Sequence, residues 1–303
     1  MIGEVEAPVR AYWDLDGETD PVLALRAAGE MVDAGILAVS LWERASSARP
    51  VVLSVASRLA AAGRAVALCV GADAADTTLA AEVRDLGLRE LLVHAGEPRE
   101  VERALDRAAL LRGAARTVGV SVAVTAATVR SLPQVLGACA RHGITRLELP
   151  VHRAADGGTG EHLDGDERRA VARSLRAVDY TKMVVVAHDP FLSEMLFPEA
   201  EPGEDGCQAA NSLVAVSERL HVLACPILPL VLGDLSSQAF GDIVRGAVAR
   251  EVRARVRAVP AACGDCPKVR GCQGGCRGRA LVAYGSLHAL DPTCERSSFR
   301  APA

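Results

Sequence analysis

Seven of the nine cysteines lie in the last third of the chain, between Cys207 and Cys294, at spacings that can gather thiolates. Five of them follow the pattern Cys-x2-Cys-x5-Cys-x3-Cys-x17-Cys, namely Cys263, Cys266, Cys272, Cys276 and Cys294. Thiols two residues apart can bind one metal centre because a tight turn places both sulfurs on the same side, and the neighbouring glycines permit such turns. Cys207 and Cys225 lie on either side of a predicted hairpin with strands over 212–216 and 221–224. Seven thiolates exceed the needs of one four-ligand site, so the sequence predicts two metal centres.

The compartment decides whether clustered cysteines indicate metal or disulfides. Residues 1–10 include two Glu and no apolar core, unlike a signal peptide, and no window contains the roughly 18 uninterrupted apolar residues of a membrane span. We therefore expect a cytoplasmic protein, in which thiols stay reduced and a cysteine cluster indicates metal. Iron–sulfur clusters and structural zinc both accept four thiolates, and the ligand type alone does not separate them.

The charge and the aromatic content argue against nucleic acid as a partner. The formal net charge is -4 and the sequence pI is about 6.0, so there is no bulk attraction to phosphates. Only 3% of the residues are aromatic, which leaves few platforms on which bases could stack.

The first two thirds of the chain alternate short apolar strands with longer amphipathic helices. The predicted strands span 10–15, 36–42, 65–70, 90–95, 119–124 and 146–152, and a further apolar run covers 182–188. Glycines that can adopt left-handed C-caps follow the first five helices: Gly35, Gly63, Gly87, Gly113 and Gly143. Strands separated by helices pair in parallel, and right-handed crossovers curl the sheet, so a six-unit partial barrel is predicted. The alternative is an open doubly wound sheet, and in both folds ligands bind at the C-terminal ends of the strands.

Few side chains in this region suggest a reaction. Three histidines lie at or near predicted strand ends: His94, His152 and His188. No nucleophile or ligand pairs with them in sequence, so we expect hydrogen-bonded barrel histidines. Cys69 and Cys139 lie in apolar runs and are predicted to be core residues. The segment Gly157–Gly160 does not open a helix after a strand and is predicted to be a surface loop.

A helix predicted over 236–257 is rich in arginine. Arg250, Arg253 and Arg257 fall on one of its faces at helical spacing. We expect a solvated face paired with Glu251, and a surface for an acidic partner is the alternative.

The cysteine spacing resembles the seven-cysteine SPASM domain of radical S-adenosylmethionine (SAM) peptide maturases, over roughly residues 205–303. The segment Gly233-Asp234-Leu235 also resembles the link between the two cysteine groups of that family. Leu220 is a departure, because the family usually has glycine five residues before its second cysteine, and this puts the hairpin geometry in question.

The resemblance implies two auxiliary [4Fe–4S] clusters and favours iron–sulfur over zinc. The ligands of the second cluster would be Cys263, Cys266, Cys272 and Cys294. Those of the first would be Cys207, Cys225 and Cys276, with either an open iron or a carboxylate as the fourth position. The carboxylates close enough in sequence are Glu201, Glu204 and Asp205.

In the family, SPASM domains follow a six-unit radical SAM barrel, which agrees with the strand pattern. The resemblance thus implies an α/β fold, with a degenerate partial (β/α)6 barrel over residues 1–200 and a small cysteine-rich SPASM domain over 201–303. The family carries Cys-x3-Cys-x2-Cys in the loop after the first strand, but residues 16–20 contain no cysteine here. Leu41-Trp42-Glu43-Arg44 replaces the Gly-Gly-Glu-Pro segment that holds the cosubstrate. We therefore expect no SAM binding and no SAM cleavage.

A degenerate barrel with an intact cysteine domain resembles the SPASM-only partner protein of GeoRSP-type peptide-modification systems. This implies an iron–sulfur accessory protein, in electron transfer or peptide handling, whose partners are a radical SAM/SPASM maturase and a small peptide chaperone or precursor peptide. One alternative is a peptide-binding scaffold with structural iron–sulfur or zinc sites. Another is an enzyme of non-radical chemistry, for which the sequence offers no constellation.

Overall fold

The computed structural model describes residues 5, 7–150, 163, 165–199 and 206–297. Seven strands alternate with helices over residues 10–199. The strands are β1 (Arg10–Leu15), β2 (Ala38–Glu43), β3 (Ala65–Gly71), β4 (Glu90–Ala95), β5 (Thr117–Val122), β6 (Arg146–Leu149) and β7 (Val184–Ala187). The helices are α1 (Pro21–Asp33), α2 (Arg49–Ala61), α3 (Thr77–Val83), α4 (Val101–Leu110), α5 (Ala126–Arg130), α6 (Leu132–Arg141), α7 (Gly165–Leu175) and α8 (Pro190–Leu196). Each predicted strand begins within two residues of an observed one.

Strands β1 to β7 lie side by side in sequence order, and every neighbouring pair is parallel. Right-handed connections in such a sheet place all crossover helices on one face, so the sheet curls. The curl brings the Tyr12 hydroxyl in β1 to 3.4 Å from Nε2 of His188, which directly follows β7. In a flat sheet, six spacings of about 4.8 Å would separate these strands. The predicted partial barrel is confirmed, and the open doubly wound sheet is wrong.

Three more strands continue the sheet beyond β1. Strand β8 (Leu213–Val216) pairs in parallel with β1, with Leu213 opposite Arg10. Strands β9 (His221–Leu223) and β10 (Val231–Asp234) follow in antiparallel order. The predicted hairpin is therefore present as β8 and β9, but its attachment to β1 and the strand β10 are not evident in the sequence. The predicted domain boundary at residue 200 lies outside the described residues.

Short helices complete the described chain: α9 (Phe240–Arg245), α10 (Ala247–Arg257), α11 (Val269–Cys272) and α12 (Arg277–Tyr284). The single helix predicted over 236–257 is wrong, because Gly246 has extended backbone (φ -67, ψ 168) and separates α9 from α10. The solvated arginine face is wrong for Arg253, which is buried and donates to the carbonyls of Ala210 (2.8 Å) and Val244 (3.0 Å). Arg250 and Arg257 are exposed.

Glycine residues and one aspartate cap the ends of the helices that connect the strands. The five predicted C-cap glycines all have positive φ, between 66 and 89, as left-handed caps require. At the start of α1, the Asp20 carboxylate accepts the N–H groups of Val22 (2.8 Å) and Leu23 (2.9 Å). Within the described residues, no helix combines the length and the apolar character needed to cross a membrane.

Leu220 shows how the hairpin accommodates a residue where the resembling family has glycine. Its φ is 64 and its side chain is 3% exposed. The carbonyl of Leu220 accepts the N–H of Leu235 (3.0 Å), which ties the hairpin turn to the end of β10. A left-handed backbone conformation destabilises any residue that has a Cβ by roughly 1–2 kcal/mol. The fold therefore tolerates this strain at Leu220 while it keeps the leucine side chain buried.

We expect both Leu220→Ala and Leu220→Gly to lower the free energy of unfolding, since both remove the buried side chain; the alanine variant should lose about 2–5 kcal/mol. The glycine variant should be more stable than the alanine variant by about 1 kcal/mol, because glycine relieves the strain but gains freedom in the unfolded chain. Urea denaturation of the two proteins measures the difference. An alanine variant as stable as the glycine variant would show that the backbone here is unstrained.

Candidate metal centres and the cavity at the barrel mouth

Cys207, Cys225 and Cys276 form the first cysteine group. Cys207 precedes β8, Cys225 follows β9, and Cys276 is the N-cap of α12. Burial raises the pKa of the Cys225 thiol to about 12, and the nearby thiols of Cys207 and Cys276 add to this effect. Burial likewise raises the pKa of Cys276 to about 11. The three cysteines predicted for the first centre are thus neighbours, and metal binding by them stays a prediction.

The second cysteine group consists of Cys263, Cys266, Cys272 and Cys294. Cys263 ends a 3-10 turn over Ala261–Cys263, Cys272 ends α11, and the N–H of Cys294 closes a turn onto the Asp291 carbonyl (2.9 Å). Burial raises the pKa of Cys263, and the thiols of Cys272, Cys294 and Cys266 raise it further. The four cysteines predicted for the second centre are also neighbours, and their role as ligands likewise stays a prediction.

Backbone N–H groups point at sulfurs in both groups. In the first group, the N–H of Ile227 donates to Cys225 Sγ and the N–H of Arg279 donates to Cys276 Sγ, both at 3.5 Å. In the second, N–H groups of Gly274 and Gly275 hold the pKa of Cys272 below the value that burial alone would give. Such bonds favour thiolate over thiol, and a donor set of sulfur suits iron–sulfur clusters or zinc rather than oxygen-loving cations. Among the described residues, no three His, Cys, Asp or Glu side chains converge closely enough for a single ion.

Two buried carboxylates and a partly buried arginine connect the first group to the barrel. Asp291 Oδ2 accepts the N–H of Cys276 and an Nη2 hydrogen of Arg279, both at 2.6 Å. Arg279 Nη1 bonds Asp189, whose other carboxylate oxygen caps α8. Burial disfavours the Arg279 guanidinium, yet the carboxylates of Asp189 and Asp291 raise its pKa above the ordinary value. This Asp189–Arg279–Asp291 bridge fixes a cysteine of the first group relative to the strand end of β7.

A cavity of about 480 Å³ lies between the C-terminal ends of the barrel strands and the first cysteine group. The barrel side chains that line it include Tyr12, Asp14, Trp42, Arg44, His94 and His188. The opposite wall includes Cys207, Cys225, Cys276, Pro226, Ile227 and Gly275. The cavity therefore occupies the position where barrel folds bind ligands, and the first cysteine group forms part of its wall.

Hydrogen bonds hold the two described strand-end histidines. Nε2 of His188 donates to Oε1 of Glu148 (3.1 Å), and Nδ1 of His94 lies 3.3 Å from the Ser121 hydroxyl. Both are thus hydrogen-bonded barrel histidines, as predicted, and both also line the cavity. His152 lies outside the described residues. The partner Glu148 gave no signal in the sequence, because it lies 40 residues away on β6.

Some side chains of the segment Leu41–Arg44 line the cavity, and one is buried under the helices. Trp42 and Arg44 line the cavity, where the Arg44 guanidinium lies 5.5 Å from the Trp42 ring centroid and 3.6 Å from an Asp14 oxygen. Glu43 is instead buried beneath α2, where Arg49 donates to both of its oxygens (2.5 and 2.9 Å). The cavity at this strand end is therefore walled by an aromatic ring and a cation, and its nearest acidic group is Asp14.

Glu148 is expected to make stability depend on pH. Burial alone would raise the pKa of its carboxyl, but the His188 hydrogen bond and the charges of His188, Arg146 and Arg10 bring it below the ordinary 4.5. A carboxyl whose pKa is lower in the folded than in the unfolded state stabilises the fold at pH above its unfolded-state pKa. That stabilisation is lost as the pH falls through the folded-state pKa. We expect Glu148→Gln to lower the free energy of unfolding at pH 7 by about 1.5–3 kcal/mol. The difference should shrink below pH 4.5, as urea denaturation across pH can measure; a difference independent of pH would contradict this.

The remaining residues singled out in the sequence are two core cysteines and residues that the structure does not describe. Cys69 in β3 and Cys139 in α6 are core residues, as predicted, and burial raises the pKa of both thiols. Gly157–Gly160 lies outside the described residues, as do the carboxylates considered for the first centre, Glu201, Glu204 and Asp205.

The fold of this chain is similar to the folds of known proteins. No family model matches the chain. The PqqA peptide cyclase of Xanthomonas oryzae pv. oryzae (strain MAFF 311018) is 39% identical over 93 residues, which cover 29% of this chain and only 25% of the cyclase. The structure of Streptococcus suis SuiB bound to precursor peptide SuiA superposes with a TM-score of 0.71 at 12% identity, covering 95% of this chain and 76% of SuiB. Native anSMEcpe with bound AdoMet and Cp18Cys peptide gives 0.67 at 13% identity, covering 95% and 94%. The chain therefore shares the α/β fold of SuiB and anSMEcpe along nearly its whole length.

Proposed function

We propose that this chain is an iron–sulfur accessory protein of a radical SAM peptide-modification system, which acts in electron transfer or peptide handling. One observation carries the proposal: the cavity at the barrel mouth is walled on one side by strand ends and on the other by the first cysteine group. A peptide bound there would lie beside a redox centre. The similar structures support a peptide as ligand, since SuiB binds the precursor peptide SuiA and anSMEcpe binds Cp18Cys peptide.

In this proposal the chain divides into a degenerate barrel (1–200) and a SPASM domain (201–303). Cys263, Cys266, Cys272 and Cys294 would hold one [4Fe–4S] cluster, and Cys207, Cys225 and Cys276 would hold the other. The clusters would supply one-electron chemistry. The N–H groups directed at the sulfurs of Cys225, Cys276 and Cys272 support this assignment, because they stabilise bound thiolates. Asp14, Arg44 and His188 would orient the peptide, since they offer polar atoms along the cavity.

We further propose that the chain neither binds nor cleaves SAM. Residues 16–20, which join β1 to α1, contain no cysteine, and Trp42 and Arg44 line the mouth at the end of β2. The iron-reconstituted protein, incubated with SAM and dithionite, should form no 5′-deoxyadenosine. Formation of 5′-deoxyadenosine by pure protein would overturn this part of the proposal.

A peptide-binding scaffold with structural metal is the second candidate. The Asp189–Arg279–Asp291 bridge favours it, because that bridge ties Cys276 rigidly to the barrel and suits a site that holds the fold. The metal could then be iron–sulfur or zinc.

Metal exchange separates the two candidates. Iron-loaded and zinc-loaded protein would each be added stoichiometrically to a radical SAM peptide maturase and its precursor peptide from the same organism. An electron-transfer role predicts that only the iron form raises peptide turnover, whereas a scaffold predicts equal effects of both forms. If neither form changes peptide binding or turnover, the accessory function is wrong.

A further inference from the structure

Arg277 is a buried arginine at the start of α12, with a relative exposure of 1%. Its Nε donates to the Val256 carbonyl (3.2 Å), and its Nη2 donates to the carbonyls of Ala258 (3.0 Å) and Gln273 (2.6 Å). Nη1 is also buried, and it finds no acceptor among the residues that the structure describes. Its hydrogen bonds go to neutral carbonyls, and the Asp291 carboxylate that also interacts with it is already paired with Arg279. Burial of this guanidinium is therefore costly, and a further compensating anion is expected.

Arg277 interacts with both cysteine groups. Its backbone N–H acts to lower the pKa of the Cys207 thiol in the first group, against the effect of burial. Its guanidinium interacts electrostatically with Cys207 and also with Cys263 and Cys272 of the second group. One residue therefore acts on the first group through its backbone N–H and on both groups through a permanent positive charge.

The local chain is shaped to admit this side chain. Gly274 has a φ of 97, and a Cβ placed there would lie 2.5 Å from Arg277 Nη1 and 2.6 Å from Pro260 Cδ. Any larger residue would collide with the guanidinium, and it would also be strained by the left-handed backbone. The glycine thus keeps open the space in which Nη1 ends.

We propose that Arg277 is the shared counter-charge of the two metal centres and a positioning residue for both. The inference rests on the proposed iron–sulfur function. Thiolate-ligated clusters are anionic, and two of them in one small domain repel each other, the more so after each gains an electron. A fixed cation that interacts with both centres stabilises the reduced state of each, which raises both reduction potentials. Nη1 would donate to a thiolate or sulfide at the centres.

Redox titration followed by electron paramagnetic resonance tests this assignment in the anaerobically purified full-length protein. We expect Arg277→Gln to lower both midpoint potentials and Arg277→Lys, which keeps the charge, to leave them near the wild-type values. The matched control is Arg253→Gln, which removes another buried arginine held by backbone carbonyls. It should leave both potentials unchanged.

Unchanged potentials in Arg277→Gln with full iron content would overturn the inference, as would an equal shift in Arg253→Gln. If Arg277→Gln does not fold, Arg277→Met, which removes the charge but keeps a long side chain, decides: lowered potentials support the counter-charge role, and unchanged potentials overturn it. A wild-type protein that binds no iron would instead overturn the proposed function itself, and the inference with it.

Discussion

Anaerobically purified protein is expected to hold about eight irons and eight sulfides per chain, as two [4Fe–4S] clusters. Substitution of one cysteine in either group should remove one cluster and leave about four irons. Cys225→Ala tests the first group, because Cys207 and Cys276 are its neighbours. Cys263→Ala tests the second, because Cys272, Cys294 and Cys266 surround it. Iron and sulfide analysis with the visible spectrum measures the outcome.

Cys139→Ala is the control for these variants. Cys139 is buried in α6, outside both groups, so its loss should leave the iron content unchanged. Stoichiometric zinc in colourless protein would contradict two iron–sulfur clusters. About four irons in the wild type, lost with Cys263→Ala but kept with Cys225→Ala, would leave the second group as the one occupied centre.

Loss of Arg279 from the Asp189–Arg279–Asp291 bridge is expected to lower stability strongly. Arg279→Met should lower the free energy of unfolding by about 3–5 kcal/mol, because it leaves two buried carboxylates without their cation. The side chains of Asp189 and Asp291 are only 7% and 0% exposed, so water cannot replace the guanidinium. Urea denaturation at matched metal content measures the change.

The control for Arg279→Met is Arg255→Met. Arg255 is 47% exposed and lies 4.0 Å from Glu251, so its loss should change stability by about 0.5 kcal/mol or less. A loss below 1 kcal/mol in Arg279→Met would mean that the two carboxylates become protonated or hydrated when the arginine is removed. The bridge would then contribute little to holding Cys276 against the barrel.

Local signals in the sequence predict the barrel well. Gly35 and the four other C-cap glycines mark helix ends that the structure reproduces, and the apolar run 90–95 is the strand Glu90–Ala95. Strand β2 begins at Ala38, although the apolar run begins at Ile36. The N–H of Ile36 bonds the Met31 carbonyl as part of the helix end, so the first residues of the run belong to the C-cap of α1.

The sequence pattern could not predict contacts between side chains that are far apart in the chain. Glu148 in β6 hydrogen-bonds His188 at the end of the neighbouring strand β7, and Asp189 pairs with Arg279, ninety residues later in the chain. No periodicity marks such pairs, since each depends on how the sheet curls and where α12 packs. The prediction for Arg253 failed for the same reason: helical spacing placed it on a charged face, yet it is buried and its guanidinium donates to the carbonyl of Ala210, 43 residues earlier in the chain. The cysteine groups were predictable because turns over a few residues gather most of their members.

The pairing of β8 with β1 also sets an order of events during synthesis. Residues 10–15 leave the ribosome early, but the strand that covers their outer edge begins only at Leu213. About two hundred residues are therefore translated while that edge of the nascent sheet exposes unpaired N–H and C=O groups, an opportunity for pairing with another chain. The hairpin that ends this exposure also brings Cys207 and Cys225 to the barrel. The edge strand is thus protected, and two of the three cysteines of the first group are placed, in the same late step of folding, whereas Cys276 arrives only with α12.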